Sequence, residues 1–257
     1  MAASIRKPAL ARPVQRGARM TRDASPGIRW SDQLGVDGVA LALSGVLFLA
    51  KAALDIRVGD PPSGAAELVA WRSAEKFSLA LTNEILFFAV VLLVPGVLGL
   101  YASLAGVRRR TAAWGCALIA AVIPVMMALT IVHGRLPFPV YGIELQDAAA
   151  VQLVVSVYYG GQHAASLLFS LATVLIAVAM RSTSYGRPIV LLGVVTAVGD
   201  MVGAYPWLAG PVLTTASEVL FAGWFIAVGV RLVTAEVHLA APRPQPGGRG
   251  HEEGAGR

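Results

Sequence analysis

Cysteine and charge are both scarce in this chain. A single cysteine, Cys116, stands inside an apolar stretch. That excludes an intramolecular disulfide and any metal site built from several thiolates. It reads as a small buried apolar residue. Charged residues make up 14% of the 257 positions, against about 25% in a soluble domain. The sequence contains no Walker A loop, His-Glu-x-x-His, Cys-x-x-Cys or Gly-x-Ser-x-Gly. Its four histidines do not group at metal-ligand spacing. No metal and no cofactor therefore enter the reading.

What the chain has is apolar length. It is 56% hydrophobic, with a mean hydropathy of +0.67. Six apolar stretches lie at about 36–56, 78–104, 111–133, 148–180, 188–209 and 211–230. A helix of about 20 residues at about 1.5 Å rise spans roughly 30 Å, the thickness of a bilayer core. The expectation is an all-α, polytopic transmembrane helical bundle of six spans over 36–234, with disordered tails at 1–35 and 235–257. No apolar h-region falls in the first thirty residues, so a cleavable signal peptide is not expected. Met20 is an alternative start. Pro95 and Pro124 are expected to kink their spans, and Gly160-Gly161 to loosen the fourth. In the 57–77 loop, Ser63 is expected to cap a short amphipathic helix carrying Trp71, lying in the headgroup layer.

Basic residues set the orientation. A pI of 9.9 would point to nucleic acid in a soluble protein. Here the basic residues flank the apolar stretches, so no nucleic-acid partner is expected, although the arginine-rich amino tail could touch anionic headgroups. Of the 21 lysines and arginines, sixteen fall on one side of a six-span layout and five on the other. The positive-inside rule then puts both termini in the cytoplasm and the bundle in the inner membrane.

This layout places the ionisable residues of the spans in one layer, in the outer half. Glu84 and Glu218 fall about two turns below the outer surface. Asp200 lies just outside the midplane and His163 near it. His133, Asp55 and Asp147 sit at the outer rim. A carboxylate in a span costs roughly 2.5–3.5 kcal/mol on insertion scales, so each needs a partner, a cavity or a function. Lys51 and Asp55, four apart on one helix face, read as a snorkelling pair at the interface. Gly199 and Gly203 flank Asp200 and let a neighbouring helix come close. Asp200 is then either a packing device bonded to a Tyr or Ser of that neighbour, or a functional carboxylate. The candidate binding residues are Glu84, His163, Asp200 and Glu218, with Asp200 and Glu218 facing one outward-opening cavity.

In its last two spans the chain resembles a bacterial integral membrane family known as domain of unknown function 4386. The resemblance rests on Arg187-Pro188, Gly199-Asp200, and Glu218 with Trp224 and Gly229. The first span, the amphipathic stretch and the long fourth span with His163 fit the same plan over about 36–234. The likeness implies the six-helix architecture and carries over no activity.

Two classes of function follow. One is a protein that binds or moves a small molecule or cation through its carboxylates. The alternative is a membrane-embedded enzyme using a buried carboxylic acid on a lipidic or isoprenoid substrate. A structural or partner-binding membrane protein is the third. No inverted-repeat halves argue for a transporter, and no motif argues for the enzyme. The partners expected are the bilayer and a small-molecule or lipidic ligand. Reporter fusions after residues 60, 109, 140, 184 and 209 test the orientation: they should alternate sides, with 60 outside. A cytoplasmic signal at 60 or 140 would overturn it.

Overall fold

A computed structural model describes residues 33–240, with side chains as far as 234. The expected tails at 1–35 and 235–257 lie almost wholly outside this range. The chain forms α1 (Leu34–Val58), α2 (Ala65–Ala74), α3 (Lys76–Gly134), α4 (Ala148–Met180), α5 (Arg187–Gly203) and α6 (Pro206–Ala240). Among the described residues there is no strand, only an isolated bridge between Val140 and Ile143. The all-α expectation holds. Four of the helices, α1, α3, α4 and α6, are long and apolar enough to cross a membrane.

The 59 residues of α3 would be far too long for one crossing if straight, at about 1.5 Å each. The helix instead breaks at Arg108, where φ is −137° and ψ is 61°. Asn83 and His133, fifty residues apart, then meet at 3.2 Å, so the arms 76–107 and 109–134 are antiparallel. Arg108, Arg109 and Arg110 are exposed at the turn. Three adjacent guanidinium groups are too costly to bury, and they force the reversal there. The helix continues through Pro95 and Pro124, and its one non-helical residue is Arg108. Gly160-Gly161 does not loosen α4, which runs unbroken. Gly161 instead faces Leu129, which would lie 2.3 Å from an added Cβ; the missing side chain lets α3 and α4 close up.

The helices make a closed ring: α1 against α3, α3 against α4, α4 against α5, α5 against α6, and α6 back against α1. Leu41, Leu93, Ile119, Ile176, Trp224 and Phe225 are wholly buried inside it, with Cys116 in the same core. Phe221 joins three helices, its ring 5.1 Å from Phe48 and 4.8 Å from Phe169. Large apolar side chains such as Leu43, Phe88, Leu153, Leu171, Leu191 and Val212 face outward. A continuous apolar exterior of this kind suits lipid.

At the end holding Arg108, Arg108 donates to Ser182 Oγ at 3.3 Å, and Ser103 shares a 2.7 Å hydrogen bond with Tyr185. At the other end α2 packs on α4 and α3. Its N-cap is Gly64, with no side-chain cap; Ser63 is exposed and does not serve. Nor does α2 merely float in an interface. Leu68 packs with Leu79, Leu136 and Val151, and Trp71 Nε1 donates to Val58 O at 3.1 Å. Arg72 is buried, donating to Leu136 O at 2.7 Å and Leu145 O at 2.6 Å. It ties down the loop after α3, whose carbonyls would otherwise lack partners. Lys76 reaches Glu144 in the same loop at 2.8 Å. That hydrogen bond, with the lysine's charge, holds the exposed Glu144 carboxyl below its usual range. The tie is present at neutral pH and is lost as pH falls through that lowered value.

The tightest seam is α1 on α6. A Cβ on Gly38 would stand 2.7 Å from Gly229 O, one on Gly45 2.7 Å from Ala222 O, and one on Gly229 2.5 Å from Ala42 N. These are backbone atoms that cannot step aside. Gly229→Ala is therefore expected to destabilise the protein by about 1–3 kcal/mol, the usual cost of overpacking. Gly223 on the same helix meets nothing within 4 Å, so Gly223→Ala should leave thermal stability unchanged or slightly raised. Equal melting of the two variants in detergent would contradict the seam.

Candidate functional site

Following the α1–α6 seam away from Gly38 leads to charge. Lys51, three turns and more along α1, is only 8% exposed. Its ammonium bonds Asp55 on its own helix and Glu218 Oε1 across the seam, the latter at 3.0 Å. The snorkelling pair expected at an interface is thus a three-member cluster joining the first and last helices. Burial is the physical reason: the seam covers the lysine stem, and its head turns to the nearest carboxylate on α6. Glu218 keeps a third of its side chain exposed and Asp55 slightly more, at 33% and 36%.

Further polar groups gather around this cluster. Tyr158 of α4 and His133 of α3 both lie within range of the Lys51 charge. His133 is buried, its Nδ1 against Asn83 Oδ1 and its ring 4.5 Å from that of Tyr158. Gln162 Nε2 donates to the Tyr158 hydroxyl at 2.9 Å. Polar side chains of α1, α3, α4 and α6 thus meet in one region. A shallow groove of about 220 Å³ lies nearby, between Pro61, Pro62 and Leu68 on one side and Gln152, Val155 and Tyr159 on the other.

Asp200 of α5 is 5% exposed. Ser217 Oγ donates to its Oδ1 at 3.1 Å, while its Oδ2 is buried without a hydrogen-bond partner. The neighbouring serine that a packing role required is therefore Ser217, next in the chain to Glu218. Gly203 admits it, since a Cβ there would stand 2.6 Å from Ser217 Oγ. Gly199 is less crowded, with Leu220 Cδ1 at 3.3 Å from an added Cβ. The fifth apolar stretch is expected to run on to 209, but α5 ends at Gly203 and the turn falls at Ala204 and Tyr205, about four residues after Asp200 and thirteen before Glu218. Asp200 and Glu218 are joined through Ser217, and Glu218 turns to Lys51.

The other two candidates differ in placement. His163 is half-buried and donates from Nδ1 to Ala204 O at 2.6 Å, its ring 4.8 Å from Tyr205 and 5.4 Å from Trp207. It caps the end of α5, just beyond Asp200. Glu84 is exposed on α3, facing away from the ring interior; its neighbour Asn83 is the residue that points inward. Sequence reading passed over Asn83, His133 and Tyr158 as site residues and left Lys51 at the rim. The one sequence signal for them was a polar side chain within or at the end of an apolar stretch.

No protein-family model, curated protein or solved structure matches the chain.

Removing Lys51 would leave two carboxylates facing each other without their cation. Breaking a buried pair costs roughly 3–5 kcal/mol; with both carboxylates a third exposed, water screens part of this. Lys51→Met is expected to cost about 2–3 kcal/mol, read as a lowered melting temperature in detergent. Adding Glu218→Gln to Lys51→Met should recover more than half of the loss. Additive losses in the double variant would show that the two residues do not interact.

Proposed function

We propose that this is a six-span inner-membrane protein with both termini cytoplasmic, which binds or moves a small molecule or cation at the Lys51–Asp55–Glu218 cluster. In this reading the two arms of α3 are separate spans, α5 with the turn after it is the fifth, and the cluster lies in the outer half. The sixteen-to-five bias of basic residues supports that orientation. The antiparallel pairing of α1 with α6 sets the start of the first helix beside the far part of the last, so the two ends share one side. The likeness to domain of unknown function 4386 belongs to the same reading, with the bilayer and a small ligand as partners.

The observation that carries it is one ammonium set between two carboxylates. A bundle that only had to hold together would gain more from apolar side chains of similar size, because burying each ion costs several kcal/mol. The cluster also carries one carboxylate more than Lys51 can neutralise. Glu218 is exposed enough for a cation to reach it and compete with the lysine. An ion-binding role explains both features, since ionisable groups inside spans are characteristic of ion and substrate pathways.

Full-length protein in liposomes tests this with sodium, potassium and methylammonium as probes. At least one of them should cross in exchange for protons, read as a change in internal pH, or raise the melting temperature of the protein. Glu218→Gln should cut that response about tenfold, the loss of one charge-assisted contact worth roughly 1.4 kcal/mol. No response to any of the three, or an undiminished response in Glu218→Gln, would overturn the proposal.

A further inference from the structure

The Asp200 carboxyl has one satisfied oxygen and one bare one. Oδ1 accepts from Ser217, and Oδ2 is covered on all sides with no donor. A charged carboxylate left so would forfeit most of its hydration for a single hydrogen bond. Whatever compensates it must fit where Oδ2 is already covered. Neither the groove near Tyr159 nor the apolar one between α1 and α6 is lined by Asp200. A metal ion or an ammonium needs a cage of several donors, whereas a proton needs no room.

The groups around Asp200 point the same way. From α6 come Ser217, which donates to Oδ1, and Glu218, the next residue in the chain. From α4 comes His163, whose Nδ1 is engaged by Ala204 O. From α1, Lys51 pairs with Glu218 and with Asp55. No cation on any packed element touches Asp200 in these contacts.

We infer that Asp200 is a proton-binding site, coupled through Ser217 to cation binding at Glu218. The coupling rests on the proposed cation role of the cluster. It is electrostatic and reciprocal: a cation arriving at Glu218 cancels the negative charge that favours the proton on Asp200. The O–H bond of Asp200 then breaks, the proton leaves for water, and one positive charge has replaced another. When the cation departs, the proton returns. The exchange involves no redox change and no other reactant.

Infrared difference spectroscopy of the full-length protein in lipid vesicles reads this directly, with no transported ion needed. At neutral pH the wild type should show the C=O stretch of a buried, protonated carboxyl, and Asp200→Asn should remove it. Raising the pH should abolish the band. Glu218→Gln should move that loss to lower pH by about one unit, the effect of removing one nearby like charge. Ser217→Ala, which deletes the donor to the ionised form, should move it to higher pH. These two variants keep the test open even if Asp200→Asn does not fold. A spectrum unchanged in Asp200→Asn, or a midpoint that Glu218→Gln and Ser217→Ala leave in place, would overturn the inference. If the band behaves as expected while no probe cation moves, the proton site stands and the proposed cation role fails.

Discussion

The structure depends on how closely two backbones can approach where α1 meets α6. Lipid offers helices no hydrophobic reason to associate, so contact must come from packing and polar bonds. Glycine makes the packing available. Gly38 lies against Gly229 and Gly45 against Ala222, and seven residues forward on α1 match seven back on α6. Continued along both helices, that antiparallel register sets Lys51 beside Ala216, and the long lysine side chain reaches Glu218 two residues on. The ion pair is the last rung of the seam. A bulkier residue at Gly229 would push α6 away and pull Glu218 out of the lysine's reach. Packing at one end of the seam thus sets the electrostatics at the other.

The two ends of the bundle are built differently. At the Arg108 end, Arg108 bonds Ser182 at the surface and Ser103 bonds the buried Tyr185. At the opposite end, α2 and the loop after α3 make a small second core under Arg72. That cap sits over the region where Asn83, His133, Tyr158, Lys51 and Glu218 gather. A rigid cap fixes the termini of α1, α3 and α4, and so fixes where their polar side chains meet. Arg72 can do this because its planar fork satisfies two carbonyls of one loop at once.

The hairpin of α5 and α6 shows how far sequence reasoning carries. The apolar pattern put the turn near 209–211, whereas the chain turns at Ala204 and Tyr205 and α6 breaks again at Gly210. Gly199-Asp200 with Gly203 marked a close approach, and Ser217 fills it. Which way Glu218 points was not legible, because rotation about a helix axis leaves depth unchanged. The same ambiguity placed Glu84 among the candidates, although Asn83, one residue before it, holds the inward face.

Composition and linear pattern by themselves determined the helical class, the apolar segments and the reversal at three arginines. These follow from the cost of charge in an apolar medium, which each segment incurs alone. Only the tertiary structure decided that the first helix lies against the last, and that Lys51 serves Glu218 as well as Asp55. It also decided that Asp200 is sealed beneath Ser217. Each of these depends on which faces of distant helices meet. In an apolar exterior, hydrophobicity does not distinguish an inward face from an outward one, so the choice falls to small residues and hydrogen bonds between segments far apart in the chain.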